Sequence, residues 1–70
     1  MNDEISGEVK RAIVEQELTL WRNTLYQLQL RHRVNKKVGA SEAALKVIEN
    51  EMIKCEATLD ALKEELETLT

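Results

Sequence analysis

A chain of 70 residues, 33% of them charged and none of them proline, is too short to enclose a deep catalytic core by itself, because small folds bury a smaller share of their surface than large ones. Its 10 basic and 13 acidic side chains leave a net charge of −3, and no apolar run approaches the ~18 residues that a transmembrane helix needs, so a membrane partner is not expected. The single cysteine cannot form an internal disulfide, and the acidic start Met1-Asn2-Asp3-Glu4 is the reverse of a signal peptide's basic n-region, so the expected compartment is the cytoplasm.

With only two glycines and an abundance of Glu, Leu, Lys and Ala, residues 1–70 read as one all-α domain. The first helix is expected over about 4–37, its start left open between residues 4 and 8 by Gly7. Val14, Leu18, Trp21, Leu25, Leu28, His32 and Asn35 recur at alternating steps of three and four, which keeps them on one stripe, and Arg11 extends the row toward the N-terminus. A second stripe runs along roughly the opposite side: Ile5, Val9, Ile13, Gln16, Leu20, Asn23, Gln27, Leu30, Val34 and Val38. A helix apolar on two faces calls for two neighbours.

The turn is expected at about 38–41. Gly39 follows Lys36 and Lys37 as a helix stop, and Ser41 followed by Glu42 is a helix start. The second helix, about 42–69, carries the clearest pattern in the chain: Leu45, Ile48, Met52, Cys55, Leu59, Leu62, Leu66 and Leu69 form an unbroken ladder of coiled-coil type. So short a connection makes the two helices antiparallel neighbours. Folding at Gly39 pairs Asn35 with Leu45, His32 with Ile48, Leu28 with Met52, Leu25 with Cys55, Trp21 with Leu59, Leu18 with Leu62 and Val14 with Leu66. The same alignment sets Lys36 beside Glu42, Arg22 beside Glu56, Glu15 beside Lys63 and Arg31 beside Glu51, with Glu17 and Glu65 the one repulsive pair. Each is worth at most about 1 kcal/mol.

The second stripe of helix 1 is nearly palindromic about the point between Trp21 and Arg22: Ile5 opposes Val38, Val9 opposes Val34, Ile13 opposes Leu30, Gln16 opposes Gln27 and Leu20 opposes Asn23. A two-fold interface needs such self-complementarity. The expectation is therefore a homodimer, an antiparallel four-helix bundle joined through Val9, Ile13, Gln16, Leu20, Asn23, Gln27, Leu30 and Val34, with the three amides fixing register. Another helical protein could cover the same stripe. The expected shape resembles that of the small RNA-binding hairpins that regulate plasmid copy number, a likeness of architecture with no motif to transfer.

The chemistry-bearing residues have structural explanations. Cys55 lies on the seam and reads as a small core hydrophobe, and His32 as a packed seam residue with one ring nitrogen hydrogen-bonded. The two are about 10 Å apart along the helix pair, too far to share a metal ion. Tyr26 falls off both stripes and is expected at the surface. Ser6 and Ser41 suit helix caps, and no phosphate-binding glycine loop, nucleophile elbow or metal-ligand spacing is present, so neither enzymatic activity nor a cofactor is expected. One asymmetry remains: Arg31, Arg33, Lys36 and Lys37, with Lys46 nearby, gather at the turn, while Glu56, Asp60, Glu64, Glu65 and Glu67 gather toward the C-terminus. Cations at a helix C-terminus oppose its dipole. The same four cations at 31, 33, 36 and 37 could instead contact nucleic-acid phosphates, an alternative that the overall acidity and the lack of neighbouring aromatics disfavour.

Overall fold

The computed structural model describes residues 5–69; the acidic start at 1–4, and with it the earliest helix start considered, lie outside the described residues. Two helices fill almost the whole of that span, α1 over Gly7–Lys37 and α2 over Glu42–Thr68. Both begin on serine. Ser6 and Ser41 hold extended backbone, and their hydroxyl oxygens accept from the amides of Val9 at 3.3 Å and Ala44 at 3.1 Å, satisfying donors that the first turn leaves open.

The reversal between the helices is a Schellman turn joined directly to a cap. Gly39, at φ 83, sits in the left-handed region, its amide bonds to the Lys36 carbonyl at 3.3 Å, and the Ala40 amide reaches back to the Asn35 carbonyl at 2.9 Å. Ser41 follows at once as the cap of α2. The chain thus satisfies the end of one helix and the start of the next within four residues, which forces α2 back along α1.

Both predicted seams close on one another. Along α2, all eight ladder residues from Leu45 to Leu69 are buried or half-buried, and along α1 the same holds for every seam residue from Val14 to Asn35, while Arg11 is exposed. Val14, Leu18 and Leu59 form the driest cluster, with Trp21, Leu25, Leu62, Leu66 and Leu69 packed against it. Contacts at both ends hold the expected register. At the open end Arg11 Nη2 donates to the Leu69 carbonyl at 3.4 Å, one layer beyond Val14 and Leu66, and at the loop end His32 Nε2 lies 2.9 Å from Glu49 Oε2, next to the expected Ile48.

Two details differ from the sequence expectation. None of the four expected interhelical ion pairs closes among the described residues: Lys36 with Glu42, Arg22 with Glu56, Glu15 with Lys63 and Arg31 with Glu51 are all exposed and remain separate, whereas His32 and Glu49 share a hydrogen bond across the helices. Long, hydrated side chains gain little from pairing in a high dielectric and lose rotamer freedom by doing so. Asn35, expected to face Leu45, instead turns its amide onto its own helix, donating to the Arg31 carbonyl at 2.7 Å.

The molecule measures 59 × 20 × 14 Å, a rod one helix thick and two wide. Each helix therefore has one neighbour.

Candidate interaction surface

The far side of α1 carries the second stripe. Ile5, Val9, Ile13, Leu20, Leu30, Val34 and Val38 are between 44% and 74% exposed, whereas Leu18 on the covered side is 4% exposed. These seven apolar residues offer on the order of 700 Å² per chain, close to the ~800 Å² each partner contributes to a standard interface. Scattered apolar surface residues need no explanation, but seven aligned on one side, in two groups at either end of α1, do. Gln16, Asn23 and Gln27, also exposed, occupy the middle of the same row. The sequence-derived interface residues are thus all placed together on one open face.

The outer face of α2 is different. Val47 and Ile53 are exposed there at 62% each, unnoticed in the sequence because they belong to no ladder. Around them stand Lys46, Asn50, Lys54, Ala57, Asp60, Ala61 and Glu64, so no second apolar stripe exists on α2.

At the hairpin tip Arg31, Arg33, Lys36, Lys37 and Lys46 are all exposed. Two of them, Lys36 and Lys46, line a shallow groove of about 330 Å³ together with His32, Leu45, Glu42 and Glu49. Carboxylates interleaved with the ammonium groups weaken the positive field that a phosphate would meet. A second groove of about 390 Å³, at mid-rod, is lined by Leu25, Leu59, Glu56, Asp60 and Lys63 and is acidic in balance. Exposed Tyr26 stands apart from both grooves.

Cys55 is the most enclosed side chain, at 2% exposure. Its thiol donates to the Trp21 carbonyl at 3.3 Å, and burial, reinforced by the Glu56 carboxylate, pushes its pKa up. A protonated, enclosed thiol is a poor nucleophile. Among the described residues no group of three or more His, Cys, Asp or Glu side chains is placed to hold a metal ion, and no helix is long and apolar enough to cross a membrane.

Two further contacts were not anticipated. The last turn of α2 holds no basic residue, and Arg11 supplies the missing cation from α1 by reaching the Leu69 carbonyl, a role readable from its place one layer beyond Val14. The Glu49 partner of His32 was equally accessible, since it adjoins the expected layer mate Ile48. Comparison with protein-family models, with curated proteins and with solved structures finds no match to this chain.

Proposed function

We propose that this protein is a non-enzymatic interaction module that works by self-association, α1 of one chain packing antiparallel on α1 of a second to give a dimer of four helices. The observation that carries the reading is the open apolar stripe of α1 with its palindromic side-chain order, in which Ile13 meets Leu30, Val9 meets Val34 and Gln16 meets Gln27. Charge supports the antiparallel sense. The loop end of one chain, with Arg31, Arg33, Lys36 and Lys37, comes to lie beside the start of α1 in the other, where Glu8 stands in the first turn. The amides of Gln16 and Gln27 would then pair across the interface, with Asn23 near the centre, and penalise shifted registers. A cytoplasmic scaffold is the setting this suits.

Sedimentation equilibrium on the wild type beside an Ile13→Glu/Leu30→Glu variant tests the reading. Both residues are exposed in the single chain, so the variant retains its helical hairpin while losing the dimer; a wild type that stays monomeric at high concentration overturns the proposal. A second reading, phosphate contact through the tip, is favoured by the exposed cluster Arg31, Arg33, Lys36 and Lys37. It requires a salt-sensitive retardation of RNA or DNA that reversal of charge at Arg33 and Lys37 removes.

A further inference from the structure

Resting on that self-association, the arrangement of the four helices follows from the number of apolar faces each helix owns. We infer that they form an open layer in the order α2–α1–α1–α2, with two polar broad faces, and not a closed bundle around a common core.

Two observations lead there. The first is angular. At 3.6 residues per turn the covered seam of α1, through Val14, Leu18, Trp21 and Leu25, and its open stripe, through Ile13, Leu20, Gln27 and Val34, point about 140° apart. In a square bundle the two neighbours of a helix lie about 90° apart, whereas in a row they lie about 180° apart.

The second observation is the asymmetry between the helices. A closed bundle turns one broad apolar face of every helix toward a shared core, so α2 would need apolar residues flanking its ladder. Its flanks are charged: exposed Glu49, Glu56 and Lys63 line one side and exposed Glu51 and Glu65 the other, while Val47 and Ile53 stand apart among Lys46, Asn50, Lys54, Asp60 and Glu64. A helix with one apolar face belongs at the rim of a layer, and a helix with two belongs inside it. The two-fold axis then runs perpendicular to the layer, so both copies of Tyr26 and Arg22 emerge on the same broad face, and the α2 outer faces form the two edges.

Small-angle scattering on the wild type at concentrations where its mass is that of a dimer reads this directly. With helices ~10 Å apart, a row of four gives a cross-sectional radius of gyration of about 12 Å, against about 8 Å for a square bundle. A dimer with the larger value supports the layer, and one with the smaller value overturns it while leaving self-association intact. A wild type of monomer mass at every concentration overturns self-association itself, and the layer with it. A distance measurement adds a local check: with Cys55→Ala removing the native thiol, nitroxides at Ala57→Cys stand about 40 Å apart across a layer and about 25 Å apart across a bundle. Should Cys55→Ala disturb folding, the scattering measurement, which needs no substitution, decides alone.

Discussion

The two helices have nearly the same length, the same serine cap and the same kind of seam, yet α1 is apolar on two sides and α2 on one. The difference teaches that a helix's pattern counts the neighbours it expects. The α2 pattern is satisfied within the chain, since its ladder meets the seam of α1 and little apolar surface is left over. On α1 the same local rule, apolar residues at three and four spacing, produces one face that is closed and another, two residues away in sequence, that is bare.

The sharpest way to break this comparison is to make one chemical deletion on each face. Leu18→Ala removes a buried side chain from the driest cluster and should cost about 2–4 kcal/mol, enough to unfold much of so small a domain. Leu20→Ala, two residues on, should cost under ~0.5 kcal/mol in dilute single chains, because Leu20 is 55% exposed there. Chemical denaturation followed by circular dichroism, run across a concentration series, separates the two. If α1 pairs with a second copy, the cost of Leu20→Ala grows with protein concentration; if it does not, the cost stays flat.

A smaller effect comes from the turn that sets one helix against the other. Gly39 has open space where a Cβ would go, so Gly39→Ala meets no clash and its cost isolates the left-handed backbone, about 1–2 kcal/mol in thermal unfolding. Below that lie the caps. Ser41→Ala removes the 3.1 Å bond to the Ala44 amide inside the constrained turn and should lower stability by about 1 kcal/mol. Ser6→Ala, at the free end of α1, should cost only a few tenths of a kcal/mol, because the first turn can fray instead.

Much of this was legible in the sequence, and the reason is that the signals were local. The seam residues, the register, Gly39 as the stop and Ser41 as the start all follow from spacing and capping, and the structure keeps each of them. What was not legible is where long polar side chains settle. Arg22, Lys63 and Glu51 have several hydrated alternatives of nearly equal free energy, so proximity in the register does not select a partner, whereas half-buried His32 has fewer alternatives and finds Glu49. The open stripe of α1 was visible only as a pattern lacking a partner, and the proposal that a second copy covers it rests on the palindromic order of its side chains.

Cysteine chemistry gives the finest probe of the two faces. Burial, with the neighbouring Glu56 carboxylate, raises the Cys55 thiol above its ordinary value of 9.0, so the folded chain holds that proton more tightly than the unfolded one. The group's stabilising contribution is therefore complete below the unfolded pKa and is lost as pH rises through the folded one. Stability measured on the wild type minus that of Cys55→Ala should be constant near neutrality and decline above about pH 9, since every other titration cancels in the difference. A difference that stays level through the alkaline range would mean that the thiolate finds water at the seam. Maleimide labelling draws the same line at neutral pH: a cysteine introduced by Leu20→Cys on the bare face should react freely in dilute chains and become protected as concentration rises, whereas native Cys55 should react only through opening of the hairpin, at a rate that follows denaturant and not protein concentration. Protection at both positions in dilute chains would erase the distinction between a covered and an open side of α1.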